Sequence, residues 1–273
     1  MMRVYILIIA VFVIAVDAVS VRAEKTPSKE NDVTLVMPGA GEMKFQLLPA
    51  GRFIMGSPES EKDSDKDEKP VHEVVISRPF YLGVFEVTCA QWKLAMGSLP
   101  KEAGDDSAAA VSGVLWEDCQ TFIRKLSEQG YGTFRLPTEA EWEYACRAGS
   151  TSRFYWGDDP DYSKADAHVW HKGNANNRTH PVGLKNPNAW GLYDMSGNAW
   201  EWCSDWYGPY PAGKQVDPAG PKTGKSHVLR GNGRRWGPRY CRSANRFYRA
   251  KGHTTGLRLV LVRDPDSKTK PGK

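Results

Sequence analysis

Short apolar runs separated by glycine and proline make up most of the chain. Four runs rich in apolar or β-branched residues stand out, at positions 45–48, 52–55, 73–76 and 80–82. Runs of this length between turn residues are typical of short strands. We therefore expect the first third of the protein to consist of short strands joined by loops.

Helical patterns are few and lie in the middle of the sequence. Three segments predict short helices: 88–97, 116–130 and 138–149. The first and third open on a capping-box pattern at Thr88 and Thr138, and the second repeats apolar residues with a period near 3.6. Each segment ends at a glycine, which favours helix termination.

The second half of the sequence shows little regular structure. From Gly149 onward, loops and short strands run for about a hundred residues, which is unusual in a compact domain without stabilising ions, tryptophans or disulfides. The most conspicuous stretch in this half is GLYDMSGNAWEWCSDWYG, residues 191–208. Its density of aromatic, acidic and glycine residues predicts a folding device, a binding site or both.

The amino terminus predicts export. A short basic lead is followed by an uncharged run at 4–16, which is too short to span a bilayer comfortably. We interpret 1–23 as a cleaved signal peptide, with a retained membrane anchor as the alternative. The predicted mature chain then has a disordered linker at 24–41, a domain at 42–263 and a disordered tail at 264–273.

Charge and composition exclude some partners. Removing 1–23 takes away two arginines and one aspartate, so the formal charge falls from +5 to +4. Because the basic residues are scattered, we do not expect nucleic-acid binding. The segment 219–226 matches a phosphate-loop pattern, but a strand-like stretch follows it where a helix is needed, so we do not expect nucleotide binding. We expect a soluble monomer after signal cleavage.

The five cysteines lie far apart in the sequence: Cys89, Cys119, Cys146, Cys203 and Cys241. None forms a CxxC pair, which argues against a cysteine zinc site. Export would permit disulfides, and an odd number leaves at least one thiol unpaired.

Several motifs together resemble the formylglycine-generating enzyme, or sulfatase-modifying factor, family. They are RFIMGSPES, FYLGVFEVT, FRLPTEAEWEYACRAGS, NAWGLYDMSGNAWEWCSDWYG and VLRGNGRR followed by CRSANR and GLRLV. They occur in family order from about 42 to 262. The resemblance implies an α+β, loop-rich fold of the C-type-lectin-like type, with few regular elements and three short helices.

The resemblance also implies a structural calcium ion. Carried over to this sequence, Asp194 and Glu201 would supply side-chain oxygens, while Gly197 and Ala199 would supply main-chain carbonyls. Such oxygen ligands suit a hard cation. A purely hydrogen-bonded turn is the alternative. The family pattern further implies a disulfide between Cys146 and Cys241, which would close a long loop.

The chain departs from the family at the copper site. Aerobic family enzymes bind Cu(I) through two cysteines five positions apart, because a soft ion requires thiolates. Counting from Gly231 without gaps places these positions at Trp236 and Cys241; aligning RSANR instead leaves both cysteines without a counterpart. Either way the two-thiolate pair is absent, so we do not expect copper, and Cys241 is at most a remnant of the site.

Two functional hypotheses therefore remain. In the first, the domain binds a polypeptide, possibly a sulfatase, or a glycan in the family groove, which we expect Arg230, Trp236 and Arg246 to line. In the second, the chain is a protein-modifying oxidase that converts a sulfatase cysteine or serine to formylglycine. The missing copper ligands favour the first hypothesis.

Overall fold

The computed structural model of the chain describes residues 32–249 and 255–263. Within these ranges the strands are β1 (Val33–Met37), β2 (Gly41–Leu48), β3 (Gly51–Met55), β4 (His72–Ile76), β5 (Phe80–Gly83), β6 (Phe134–Arg135), β7 (Trp200–Trp206), β8 (Gln215–Val216), β9 (His227–Arg230), β10 (Arg246–Arg249), β11 (Thr255–Gly256) and β12 (Val260–Leu261). The helices are α1 (Cys89–Met96), α2 (Trp116–Glu128), α3 (Glu139–Arg147) and α4 (Ala165–His168). Two 3-10 turns lie at Lys66–Glu68 and Pro238–Cys241.

The strands form three small sheets. The largest has the order β1-β2-β5-β12-β6, the second β10-β9-β7-β11, and the third β3-β4-β8. Most neighbours are antiparallel, and the parallel pairs are β7 with β11 and β4 with β8. Sequence-distant strands pair directly, so the late strand β12 lies between β5 and β6.

The predicted strands are confirmed, and one expectation about the amino-terminal segment is wrong. The four apolar runs fall within β2, β3, β4 and β5. However, β1 lies inside the 24–41 segment that we expected to be disordered. It pairs along its whole length with β2, and Met37 is buried in the core, so burial and ladder hydrogen bonds order this part of the segment.

The predicted helices are also confirmed, with small shifts at their ends. Thr88 and Thr138 both form complete capping boxes. Helix α2 ends two residues before Gly130. Helix α3 ends at Arg147, and the next residue, Ala148, caps it in a left-handed conformation with φ of 46°, one residue before the expected glycine.

Two large apolar clusters hold these elements together. In the first, Trp92 of α1 stacks on Phe122 of α2, with ring centroids 5.0 Å apart. The second contains Trp142 of α3 and the strands that pack against it. Strand β7 contributes to both clusters and α3 to the second, and polar side chains of both elements are also buried.

The predicted signal peptide at 1–23 and the predicted tail at 264–273 lie outside the described residues. In 32–249 and 255–263, no helix has the length and apolar character needed to cross a membrane.

Candidate functional site

The segment 191–208 enters the protein interior as β7. Trp200 and Trp202 belong to the first apolar cluster, while Glu201 between them points to Trp142 of the second cluster. This is the alternation that extended backbone imposes on successive side chains. The two indoles therefore fix the direction in which the Glu201 carboxylate points.

Asp194, the first predicted calcium ligand, has an unused oxygen. Its Oδ2 accepts a hydrogen bond of 2.7 Å from the Gly183 main-chain N–H, but its buried Oδ1 has no partner. Burial raises the pKa of this carboxyl to about 6, because the charged form is poorly solvated. A buried acceptor without a donor fits a bound cation.

Glu201, the second predicted side-chain ligand, already has strong partners. Arg258 Nη2 donates to its Oε1 over 2.8 Å, and Trp142 Nε1 donates to its Oε2 over 2.8 Å. Neither Glu201 nor Arg258 is exposed to solvent. Carboxylate oxygens have further lone pairs, so a calcium ion would have to share this group with Arg258.

A third buried carboxylate, Glu86, was not predicted from the sequence. Its Oε1 accepts from the Ala199 N–H over 3.0 Å, and its Oε2 accepts from Asn198 Nδ2 over 2.6 Å. Burial, and then the charge of Asp194, raise its pKa well above the ordinary value. Glu86 follows the apolar strand β5 and belongs to no recognisable site motif. Only folding, which brings it near Asp194 and Glu201, makes it a member of this acidic cluster.

The charges of this cluster suit a divalent cation. The carboxyl groups of Glu86, Asp194 and Glu201 influence one another, and Arg258 is the cation that faces them. Among the described residues, no three His, Cys, Asp or Glu side chains converge closely enough to share one ion. The fit therefore depends on the Asp194 oxygen and on main-chain carbonyls.

Gly197 and Ala199 lie in a tightly packed turn within the same motif. Gly197 has a φ of 89°, and a Cβ there would lie 2.5 Å from the Trp170 carbonyl oxygen. Its N–H donates to the Gly231 carbonyl over 2.6 Å. Because only glycine is accommodated, this turn holds the main chain of 197–199 in a fixed conformation next to Asp194.

The two positions compared with the copper cysteines have different surroundings. Trp236 is half-buried, and its ring contacts Tyr240 and Phe247 at centroid distances of 5.1 and 5.8 Å. Cys241 is buried, and its Sγ accepts a hydrogen bond of 3.0 Å from Asn232 Nδ2. Burial raises the pKa of Cys241 to about 12, so the thiol stays protonated and is a poor metal ligand.

The expected disulfide between Cys146 and Cys241 is wrong for this structure, because both are free thiols. Cys146 Sγ donates to the Met195 carbonyl over 3.8 Å and lies 4.0 Å from Ser196 Oγ. The Cys241 sulfur is instead oriented by Asn232. Each thiol therefore has its own polar partner.

Arg230 and Arg246 do not line an open groove, contrary to our expectation. Both are buried, with exposed fractions of 0% and 4%. Arg246 forms a two-point ion pair with Glu139 at 2.8 and 2.7 Å, and Arg230 Nη2 lies 2.5 Å from Glu143 Oε2. These arginines join β9 and β10 to α3, so they hold the fold together from inside.

The accessible feature near Trp236 is a row of aromatic rings, which we call the aromatic surface. Its members are Tyr240, Trp236, Phe247, Tyr248 and Tyr207. All five are half-buried or exposed, and Tyr248 is 48% exposed. The guanidinium of Arg239 lies 4.3 Å from the ring centre of Tyr240. Of the predicted groove residues, only Trp236 belongs to this surface.

Sequence reasoning missed most of the aromatic surface. Phe247 and Tyr248 follow the RSANR motif directly and could have been noticed as adjacent aromatic residues in a short strand. Tyr207 is brought to Tyr248 by folding, with ring centroids 4.1 Å apart. No sequence signal predicts that contact, because Tyr207 follows β7 and Tyr248 lies in β10.

The loop-rich α+β architecture is that of the formylglycine-generating-enzyme class. The chain belongs to the family of the sulfatase-modifying factor enzyme 1-like domain, whose sequence model matches residues 39–263. It is similar to the structure of PvdO from Pseudomonas aeruginosa, with a TM-score of 0.72, 29% identity and coverage of 80% of this chain and 94% of that chain. It is also similar to Treponema denticola variable protein 1, with a TM-score of 0.75, 25% identity and coverage of 84% and 98%.

Relatives by sequence carry more than one name. The formylglycine-generating enzyme of Streptomyces coelicolor is 37% identical over 164 residues, which cover 56% of this chain and 50% of that enzyme. The formylglycine-generating enzyme of Thermomonospora curvata is 31% identical, with coverage of 79% and 90%. The serine/threonine-protein kinase pkn1 of Chlamydia caviae is 32% identical, with coverage of 70% and 32%. The match thus spans half of the first relative and a third of the kinase.

Proposed function

We propose that this protein is an exported, calcium-binding member of the family that binds a polypeptide or glycan partner and lacks copper-dependent oxidase chemistry. The observation that carries the proposal is the replacement of a thiolate pair by Trp236 and a buried, protonated Cys241. Cu(I) sites of this kind need two thiolates, and this arrangement supplies none at neutral pH. The proposed export rests on the predicted signal peptide, which amino-terminal sequencing of the secreted protein would test.

The aromatic surface supports a binding role. Half-exposed aromatic rings combine a large contact area with little side-chain entropy, so they are favoured at recognition surfaces. Exposed Arg239 adds a cation beside Tyr240. We propose that the ligand stacks along the row from Tyr240 to Tyr207.

The calcium assignment is part of the proposal. Asp194 would hold the ion through its unpartnered oxygen, together with Glu201 and the carbonyls of Gly197 and Ala199. Calcium would supply two positive charges beside Glu86, Asp194 and Glu201, which Arg258 already faces. Its role would be structural, because it would stabilise the turn from which β7 begins.

The competing function is oxidation of a sulfatase cysteine or serine to formylglycine. It is favoured by the name of the Streptomyces coelicolor relative, a formylglycine-generating enzyme. A Cu(I) titration against a chromogenic chelator distinguishes the two functions. We expect no copper binding tighter than micromolar and no O₂ consumption with a cysteine-containing sulfatase peptide. Nanomolar copper binding with peptide-dependent O₂ consumption would establish the oxidase instead.

Binding itself is tested on peptide and glycan arrays. We expect Trp236→Ala to weaken binding at least tenfold when measured well below its melting temperature, which should fall because the ring also packs against Phe247 and the first apolar cluster. Val216→Ser is the matched control, since Val216 is 60% exposed and belongs to the third sheet. Equal binding by the wild-type protein and Trp236→Ala would contradict the proposed surface.

A further inference from the structure

A cavity lies between the first and the third sheet, where β4 ends and β5 begins. Its volume is about 500 Å³, and residues of β6 and β12 also line it. It is open to solvent, because Arg78 and Val262 in its wall are exposed. Among the described residues of its wall, none belongs to the aromatic surface. Cavities of roughly 300–1,000 Å³ are typical of sites for small molecules.

The floor of this cavity is apolar. It consists of Ile76, Phe80, Val260 and Leu261, whose exposed fractions lie between 1% and 7%. Val262 lies at the rim and is 51% exposed. The Val262 main-chain N–H donates to the Thr133 carbonyl over 2.8 Å, which fixes the rim next to β6. An apolar ligand that covers Val262 would remove its side chain from water, which favours binding.

The charged groups of the wall favour an anion. They are three arginines, Arg78, Arg135 and Arg263, and two carboxylates, Glu141 and Asp217. The wall therefore carries one positive charge in excess. Both Glu141 oxygens accept hydrogen bonds of 2.6 Å from Arg135, so this carboxylate is already neutralised within the protein.

Asp217 holds the loop that carries Arg78. Its Oδ1 accepts a hydrogen bond of 2.8 Å from the Ser77 main-chain N–H, and its Oδ2 accepts one from the Ser77 hydroxyl. These bonds tie the segment between β4 and β5 to the chain that follows β8. Arg78 therefore projects from an anchored loop, which lowers the entropic cost of ordering it around a ligand.

Two guanidinium groups of the wall have N–H donors to spare. Arg78 has no hydrogen bond or ion pair with any residue in 32–249 and 255–263. Arg135 directs two N–H groups to Glu141 and one to the Leu136 carbonyl, and its side chain is 40% exposed. A guanidinium carries five N–H groups, so two of those of Arg135 remain for a ligand.

We propose that this cavity binds a small organic carboxylate with an apolar body. The carboxylate pairs with Arg78, and the apolar body lies on Val262 and the floor. A planar carboxylate can accept two parallel hydrogen bonds from one guanidinium. Inorganic phosphate would reach the arginines but would gain nothing from the apolar floor. This site goes beyond the proposed function, because it uses other residues than the aromatic surface.

The test is calorimetric titration of the full-length protein with 4-phenylbutyrate and with its neutral analogue 4-phenylbutyramide. We expect the acid to bind at least tenfold more tightly than the amide in Kd. Arg78→Gln should abolish this preference, and Arg78→Lys should keep part of it. Arg52→Gln is the matched control, since Arg52 is a 76% exposed arginine of β3 outside the cavity wall and its loss should leave the preference unchanged.

Two further measurements separate a ligand contact from a structural role. Arg78→Gln should melt at the wild-type temperature, because the described structure gives Arg78 no partner; a clear fall would overturn its assignment to a ligand. Val262→Ser should weaken the acid and the amide by similar factors, because it removes apolar contact from both. Phosphate that binds as tightly as 4-phenylbutyrate would overturn the role of the floor.

The remaining outcomes concern other occupants of the cavity. The segment 264–273 follows Arg263, contains Asp264 and Asp266, and lies outside the described residues. A tenfold gain in affinity for 4-phenylbutyrate in the double variant Asp264→Asn, Asp266→Asn would assign the cavity to this segment and overturn the inference.

The inference and the proposed function can fail separately. Retained binding of 4-phenylbutyrate by Trp236→Ala would support a site apart from the aromatic surface, whereas loss of this binding in Trp236→Ala alone would overturn it. Wild-type protein that binds neither the acid nor the amide would also overturn the inference. That result would leave the aromatic surface unaffected, because its own test uses peptide and glycan arrays.

Discussion

Glu201 and Arg258 form a salt bridge that is closed to solvent, with Arg258 Nη2 2.8 Å from Glu201 Oε1. The two residues are far apart in the sequence, and the same guanidinium also donates to the carbonyls of Gly83 and Tyr193. The predicted calcium ligand is therefore also the counter-ion of a core arginine. Asp194, whose Oδ1 has no partner, is the more direct test of a cation.

Calcium should stabilise the protein through Asp194. At a free concentration about 100 times its Kd, a ligand specific for the folded state raises the free energy of unfolding by about 2.7 kcal/mol. We expect Ca²⁺ to raise the melting temperature and Asp194→Asn to remove this rise. Asp161→Asn, at an exposed position, is the control. An unchanged melting temperature after chelation would remove the calcium assignment.

Glu139→Gln should strongly destabilise the fold. Glu139 pairs with Arg246 at 2.7 Å and contacts Arg230 at 3.4 Å. Removing one partner of a buried ion network costs roughly 3–5 kcal/mol, because the remaining charges stay buried. Glu128→Gln breaks an exposed pair with Arg124 and should cost less than about 1 kcal/mol. Urea unfolding measures the free energy of unfolding of both variants. Equal losses in Glu139→Gln and Glu128→Gln would contradict a stabilising role of the buried ion network.

Asp205 should make stability fall as pH rises. Burial, and then the charge of Glu139, raise its pKa to about 7. The folded state therefore binds a proton more tightly than the unfolded state, whose aspartates titrate near pH 3.9. The free energy of unfolding that protonated Asp205 contributes is fully present below about pH 4 and is lost progressively as the pH rises to about 7. Asp205→Asn should flatten this part of the curve of unfolding free energy against pH; an unchanged slope would contradict the shifted pKa.

All five cysteines should be reduced and unreactive in the native protein. Each is buried, and burial raises the pKa of the thiols, so little thiolate is available for reaction. A thiol reagent should modify none of them at neutral pH and all of them after unfolding without reductant. A count of three after unfolding would contradict this prediction, because it would mean that two of the five cysteines are joined.

The segment that contains Trp236 and Cys241 has side-chain contacts that motif spacing does not predict. Counting from Gly231 without gaps placed Trp236 at the first cysteine position, and the structure shows its ring packed among aromatic residues. Counting could not reveal that Cys241 is oriented by Asn232. That contact depends on the 3-10 turn Pro238–Cys241, which the spacing alone does not describe.

The sequence by itself determined the local elements and the family. Capping boxes at Thr88 and Thr138 and short apolar runs act over a few residues, so they can be read directly. Only the tertiary structure decided which charged side chains are buried and which of them are paired. It buried Arg230 and Arg246 against α3, set Glu86 beside Asp194, and, among the described residues, left Arg234 without a carboxylate at ion-pair distance. The physical reason is that burial and ion pairing depend on residues far apart in the chain, whose meeting no local pattern specifies.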